Sequence, residues 1–191
     1  MTEPSNPQPL EQLSAIDQLP GDLMMWVLII SELLVFGAGL AAFLAVRITD
    51  PIGFAEAQDH LFRAGAGLNT LVLVTSGFLA ALAVRAAHVG LIWRTRALLA
   101  GASALGVVFL VIKGMEYAAK FAQGIGTETH PFFTFYYLLT GFHAAHVVFG
   151  ILILAVVGYR CTPRTVEVGA AFWHMVDLVW VLLFPVIYLL R

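Results

Sequence analysis

The sequence predicts an all-α integral membrane protein, a bundle of five transmembrane helices. Three observations predict it: 60% of the 191 residues are hydrophobic, only 12% are charged, and long apolar stretches recur along the chain. A soluble domain of this size would carry about 25% charged residues. Strands of a membrane barrel alternate apolar and polar residues, so the continuous apolar stretches favour helices.

Five apolar stretches reach the roughly 20 residues that a helix needs to cross a bilayer. They cover residues 23–46, 68–87, 97–119, 132–158 and 169–190. Asp50-Pro51 interrupts the chain after the first stretch, His130-Pro131 opens the fourth, and Thr162-Pro163 precedes the fifth. Proline suits the first turn of a helix. We expect a polar tail at 1–22 and a single transmembrane domain at 23–191.

The polar tail contains no lysine or arginine. A signal peptide begins with a basic region, so we expect the first span to be a retained helix. Basic residues also predict the orientation, because cytoplasmic loops carry more of them. An N-terminus in the cytoplasm and a C-terminus in the periplasm put five arginines inside, namely Arg85, Arg94, Arg96, Arg160 and Arg164. The outer side then holds Arg47, Arg63, Lys120 and Arg191.

A layer of ionisable residues lies within the predicted spans. It consists of Glu32, His143, His146, His174 and Asp177. The helical rise places all five about 8–14 Å from the same predicted membrane edge. Ionisable groups at this depth are costly, so each should face protein and have a partner. We therefore predict a shared buried polar network of carboxylates and histidines.

Three roles are open for this layer: a structural hydrogen-bond network, a device that moves or gates protons for a neighbouring subunit, or a metal site. Histidines and carboxylates do ligate iron, manganese and zinc. However, the spacing lacks the Glu-x-x-His pairs that mark di-metal carboxylate bundles. We therefore expect no metal ligands and no catalytic residues. The net charge of −2 and the lack of a basic stripe predict no nucleic-acid partner.

Two further patterns concern polar pairing and helix packing. Lys113 and Glu116 are three residues apart, which predicts a local ion pair near the outer end of the third span. The Lys113 side chain is also long enough to reach toward the headgroups. Small residues recur at intervals of four and predict close helix packing. Examples are Gly37 and Ala41 in the first span, Ala102 and Gly106 in the third, and Gly141 and Ala145 in the fourth.

Several short sequence motifs, taken in order, resemble subunit III of the haem–copper oxidases over residues 21–190. They are Ile30-Ser31-Glu32, Leu68-Asn69-Thr70, Thr75-Ser76-Gly77, Glu116-Tyr117, Thr140-Gly141-Phe142-His143, His146-Val147, Glu167, Trp173-His174, Asp177 and Trp180. The resemblance implies a non-catalytic subunit in a bacterial inner membrane that has no metal or haem of its own. It also implies a haem-bearing catalytic partner, which the subunit stabilises and whose proton uptake it sustains. Glu32 occupies the position of the family's membrane-buried carboxylate.

The resemblance further implies phospholipids bound in a cleft beside an N-terminal helix pair. We expect that pair to be missing here, because about 22 polar residues precede the first span. The short form resembles quinol-oxidase-type members and the subunit III-like protein associated with nitric oxide reductase. Residues Lys113-Gly114-Met115-Glu116-Tyr117 slightly favour the latter. Two other classes stay open. One is a membrane metalloenzyme that uses Glu32, His143, His146 and His174. The other is a transporter, although the broken helices of such folds are not found.

Overall fold

The computed structural model describes residues 23–190, and within them all regular structure is helical. The helices are α1 (Leu23–Thr49), α2 (Pro51–Asp59), α3 (Arg63–His88), α4 (Ile92–Ala122), α5 (Pro131–Arg160) and α6 (Pro163–Phe184). A short π-helical turn, Pro185–Leu189, continues α6. Five helices are long and apolar enough to cross a membrane, α6 being counted with the turn. The predicted five-span all-α architecture is therefore confirmed. The predicted tail at 1–22 lies outside the described residues.

The structure corrects the sequence prediction in two respects. All five spanning helices extend beyond the predicted stretches, by up to six residues at the start of α6, since apolarity marks only the part of a helix within hydrocarbon. The short helix α2 was not predicted at all. It packs Phe54, Ala57 and Gln58 inward at one end of the bundle, and the Gln58 amide donates to the carbonyl of Ile187 over 2.9 Å.

Three helices start at the proline pairs, and each has a side-chain cap. Proline stands at the first turn, where its missing N–H costs nothing. Asp50 caps α2 by accepting from the N–H of Gly53, and Thr162 caps α6 by accepting from the N–H of Thr165. His130 caps α5 through Nδ1, which accepts from the N–H of Phe132 over 3.1 Å. The proline pairs are therefore helix starts.

The spans alternate in direction, which gives the bundle two distinct ends. One end, called here the α2 end, holds α2, the loop at 123–130 and Leu190. The other, the Leu23 end, holds the start of α1 and the α3–α4 and α5–α6 connections. Polar contacts connect neighbouring segments at both ends. The Lys120 ammonium donates to the carbonyl of His60 at the α2 end, and His88 contacts Glu167 at the Leu23 end.

Helix α6 lies at the centre of the bundle and α1 at its edge. Half of the α6 span is buried, including the fully buried rings of Trp173 and Trp180, and α6 packs against α3, α5 and α1. On α1, by contrast, the buried residues are Phe36 and Phe43. Most of the α1 surface therefore faces outward from this chain, and its attachment depends on few contacts.

Candidate functional site

Glu32 of α1 and His146 of α5 form a direct contact inside the membrane-spanning region. Glu32 Oε2 lies 3.1 Å from His146 Nε2, and His146 Nδ1 lies 2.9 Å from the carbonyl oxygen of Phe142. A carbonyl only accepts, so Nδ1 carries a proton and donates it. Nε2 is therefore the imidazole nitrogen that faces the Glu32 carboxyl, and a hydrogen bond there needs a proton on one of the two atoms.

The Glu32–His146 pair is partly exposed on the outer side of the chain. The side chains of His146 and Glu32 keep 15% and 22% of their accessible surface. The phenyl ring of Phe142 lies 4.6 Å from the His146 imidazole, and that of Phe36 lies 5.4 Å away, each edge-on. We call this lateral surface, around Glu32, Phe142, Ala145 and His146, the α1/α5 face.

A second pair lies within α6, on the side that packs against α3. His174 Nδ1 lies 3.9 Å from Asp177 Oδ2, a distance beyond a hydrogen bond but within the range of an ion pair. Asp177 lies against Gly77 of α3, where an added Cβ would come 2.2 Å from Asp177 Oδ2. Among residues 23–190, Asp177 Oδ1 has no hydrogen-bond partner. The glycine of Thr75-Ser76-Gly77 thus provides the space that the carboxylate occupies.

His143 is fully buried between these pairs and contacts neither through a hydrogen bond. Its imidazole stacks on the indole of Trp180 at 5.2 Å and meets the ring of Phe109 edge-on at 5.5 Å. In the part of the chain that the structure describes, both of its nitrogens lack hydrogen-bond partners. The five residues predicted as one network are thus placed as two pairs and one aromatic-packed histidine. His174 is not buried in this chain, because its side chain is 46% exposed.

Lys113 forms a more extensive buried polar cluster than the five-residue layer does. Its ammonium donates to Glu116 over 3.0 Å, to the hydroxyl of Tyr136 over 3.2 Å and to the hydroxyl of Tyr188 over 2.5 Å. It also lies 4.7 Å from the centre of the Tyr136 ring and 5.4 Å from that of Trp180, distances typical of cation–π contacts. We call these residues the Lys113 cluster.

The Lys113–Glu116 contact agrees with the predicted local ion pair, but the lysine does not reach the headgroups. Its side chain is only 2% exposed. Sequence reasoning missed the tyrosines and tryptophan that surround it. A usable signal existed, because buried tyrosine hydroxyls need a hydrogen-bond partner, and Tyr136 and Tyr188 lie inside apolar stretches.

Polar residues of the motifs that resemble subunit III form hydrogen bonds between α3 and its neighbouring helices. Ser76 donates to the carbonyl of Ala102 on α4 over 2.7 Å and accepts from the indole of Trp173 over 3.0 Å. The amide of Asn69 donates to the carbonyl of Phe109, and the indole of Trp180 donates to Thr70. These motifs therefore contain residues that form interhelical hydrogen bonds in the core.

The predicted small-residue packing is found in the third span but not in the first. Gly37, Ala41 and Ala145 are exposed in this chain, and Gly141 is half-buried with the hydroxyl of Tyr117 as its nearest neighbour. In the third span, Ala102 is fully buried and Gly106 contacts Trp173, as predicted. Close approach also occurs at Gly39, where an added Cβ would lie 2.6 Å from Leu139, and at Gly150, which contacts Trp173. A spacing of four identifies a helix face but not which neighbour covers it.

Within the described residues, no three histidine, cysteine, aspartate or glutamate side chains lie together as a metal-binding group. Of the four residues in the metalloenzyme hypothesis, Glu32 and His146 are in contact. His143 is packed among aromatic rings, and His174 contacts Asp177.

A five-span helical bundle with ionisable pairs inside its spans defines a multi-span membrane protein whose polar groups hold helices together. Residues 21–191 match the family described as Cytochrome c oxidase subunit III. The chain belongs to this family.

Relatives with similar names cover most of the chain. It is 32% identical to Cytochrome c oxidase subunit 3 of Corynebacterium diphtheriae over 86% of each protein. It is 30% identical to Cytochrome c oxidase subunit 3 of Synechocystis over 88% of this chain and 76% of that protein. It is also 30% identical to the Heme-copper oxidase subunit I+III of Aeropyrum pernix, over 86% of this chain and 22% of that protein.

Proposed function

We propose that this chain is a non-catalytic subunit III of a haem–copper terminal oxidase in a bacterial inner membrane. It binds beside the haem-bearing catalytic subunit, stabilises it and supports its proton uptake. Membership of the subunit III family supports this proposal. So does the similarity to the Aeropyrum pernix protein, whose name combines subunits I and III.

The observation that carries the proposal is the partial exposure of the Glu32–His146 pair. Glu32 lies nine residues into α1, which is about 14 Å along the helix axis. Ionisable groups at this depth are found facing protein or a water-filled cavity rather than lipid. The α1/α5 face therefore needs a covering protein, and we assign that role to the catalytic subunit.

The position of the pair supports the second part of the proposal. Because His146 Nδ1 donates to Phe142, Nε2 is the imidazole nitrogen that contacts Glu32 Oε2. This contact lies on the partly exposed α1/α5 face. The pair can therefore exchange a proton with groups of a bound partner without rearrangement of the helices.

Photocrosslinking in the native complex tests the docking surface. A benzophenone amino acid at Ala145, on the α1/α5 face, should crosslink to a haem-bearing subunit with many helices. The same probe at Val111, which is exposed on α4, is the matched control and should not crosslink to that subunit. Purification without any haem-bearing partner would overturn the proposal. Crosslinks from Val111 alone would show that the interface lies on α4 and not on the α1/α5 face.

The resemblance of residues 113–117 favours a second candidate, an accessory subunit of nitric oxide reductase. It would use the same face and pair, because the argument from Glu32 and His146 concerns membrane depth rather than the substrate. Identification of the co-purified partner separates the two. A complex that reduces nitric oxide but not oxygen would support the second candidate.

We also propose that the Leu23 end is cytoplasmic, on the basis of its arginines. The sequence has one cysteine, Cys161, in the α5–α6 connection at this end. A membrane-impermeant maleimide should label Cys161 in inside-out vesicles and not in intact spheroplasts. Labelling in spheroplasts alone would reverse the orientation.

A further inference from the structure

A groove runs along the outer side of the bundle between α4 and α5, beginning at the Leu23 end. Its volume is about 660 Å³. Leu99 and Leu154, both buried, form its floor. Ala100, Ala104 and Gly158 line it, and their small side chains leave the space open. We call it the α4/α5 groove.

The length of the α4/α5 groove corresponds to one leaflet of a bilayer. Its lining on α4 extends from Arg96 to Val107. Eleven residues of helix span about 16 Å, and half of a hydrocarbon core is about 15 Å. An acyl chain that enters beside Arg96 would therefore lie in the groove down to the middle of the membrane.

Arg96 provides a fixed positive charge at the mouth of the groove. Its Nε donates to the carbonyl of Gly158 over 3.0 Å, and its Nη2 donates to the carbonyl of Tyr159 over 3.1 Å. A guanidinium has five N–H donors, so three remain for another acceptor. Its planar arrangement of donors suits the oxygens of a phosphate.

The surroundings of the mouth favour an anionic headgroup. Among residues 23–190, the Leu23 end carries the arginines Arg85, Arg94, Arg96, Arg160 and Arg164. Its carboxylate within the same range is Glu167, which contacts His88 at 2.5 Å. Trp93 and Tyr159 extend outward and are 85% and 84% exposed. Such aromatic side chains are typical of the headgroup level.

The α4/α5 groove differs from the α1/α5 face in the polarity of its lining. The α1/α5 face contains the ionisable Glu32–His146 pair, which needs protein cover. Below Arg96, by contrast, the groove is apolar except for the hydroxyl of Ser103. An acyl chain in this groove leaves no ionisable group uncompensated.

We propose that the α4/α5 groove binds one acyl chain of an anionic phospholipid whose phosphate contacts Arg96. The site is formed by α4 and α5 and does not depend on the N-terminal helix pair that frames the cleft implied by the family resemblance.

The test uses the intact complex in nanodiscs of phosphatidylcholine that contain a minor fraction of a photoactivatable phosphatidylglycerol. Peptide mapping should find the label at residues 96–107 and 154–159. Ala104→Phe fills the groove and should remove this label. Ala118→Phe makes the same change at an exposed position of α4 outside the groove, and should leave the label unchanged.

A second variant tests the headgroup. Arg96→Gln should reduce the preference for phosphatidylglycerol over phosphatidylcholine about tenfold, the effect of losing one charge-assisted hydrogen bond. Arg94→Gln, two residues away on the same helix and outside the groove lining, should keep the preference. Arg96→Gln could prevent assembly, because α5 loses its hydrogen bonds to Arg96. In that case the comparison of labelling in Ala104→Phe and Ala118→Phe tests the proposal. Equal labelling of the two phenylalanine variants, or crosslinks from the groove to a protein helix, would overturn the proposal.

Discussion

The ammonium of Lys113 lies 2.5 Å from the phenol oxygen of Tyr188, and this contact joins α4 to the last helical turn of the chain. The Tyr188 hydroxyl in turn donates to Glu116 over 3.0 Å. Each group thus has a partner although the site is closed to solvent. Such a cluster is stable as a unit, because removing one member leaves the others unpaired.

Lys113→Met should destabilise the protein by about 3 kcal/mol, because the Glu116 carboxylate loses its buried counter-ion. The double variant Lys113→Met/Glu116→Gln should lose less than Lys113→Met alone, because it contains no uncompensated charge. Thermal unfolding of the detergent-solubilised complex measures both. Arg94→Met removes an exposed cation from the same helix and should have little effect. A double variant that loses as much stability as Lys113→Met alone, or more, would contradict the coupling.

Glu32→Gln should preserve assembly while changing proton-coupled behaviour. The glutamine amide can donate to His146 Nε2, so the contact between α1 and α5 remains. The ionisable carboxyl, however, is lost. Proton uptake and the decay of activity during turnover should change in the variant complex. Glu167→Gln, at the exposed pair with His88, is the matched control. Unchanged kinetics in Glu32→Gln would limit the pair to a structural role.

Gly106→Ala and Gly150→Ala should each destabilise the bundle by about 1–3 kcal/mol through overpacking. An added Cβ at either position would lie 2.7 Å from the indole of Trp173, which is fully buried and has no room to move. Gly114→Ala is the control, since no atom lies within 4 Å of its added Cβ. That change should be neutral or stabilising, because alanine favours helix. Equal effects at all three glycines would refute this account of Trp173 packing.

The cap of α2 should depend on pH. The hydrogen bond from the N–H of Gly53, and then that from His130, lower the pKa of Asp50 below its usual 3.8. Because the folded pKa is the lower one, the stabilisation is present above the unfolded pKa and is lost as pH falls through the folded value. Hydrogen exchange of α2 should therefore accelerate in acid below about pH 4.

Asp50→Asn provides the control for this pH dependence. Asparagine also caps helices, so α2 should still form. It cannot ionise, so the acid-dependent acceleration at α2 should disappear. The same acid response in Asp50→Asn and in the unaltered protein would show that another group causes it.

The sequence was sufficient to predict the spans and the starts of helices because both depend on local properties. Apolar length determines which segments cross the membrane, and Pro131 marks the start of α5 through the fixed geometry of its own ring. Helix α2 could not be predicted in this way. It has nine residues, and its Phe54 packs against Phe43 and Phe132 from other helices.

The same distinction applies to the site. The spacing of Lys113 and Glu116 predicted their contact, because residues three apart share a helix face. The hydroxyls of Tyr136 and Tyr188 reach Lys113 from distant segments, and no spacing indicates that. The depths predicted from the sequence place Glu32 and His146 at a similar level in the membrane. They do not specify which histidine contacts the glutamate. That choice depends on how α1 packs against α5.

The contact between Glu32 and His146 joins residues separated by 114 positions. During translation at 5–20 residues per second, His146 follows Glu32 by on the order of 10 s. The first span therefore enters the bilayer with an acidic side chain whose internal partner has not yet been synthesised. Until the fourth span arrives, that carboxyl depends on a partner outside the chain, such as the insertion machinery, so the attachment of α1 to α5 is a late event in biogenesis.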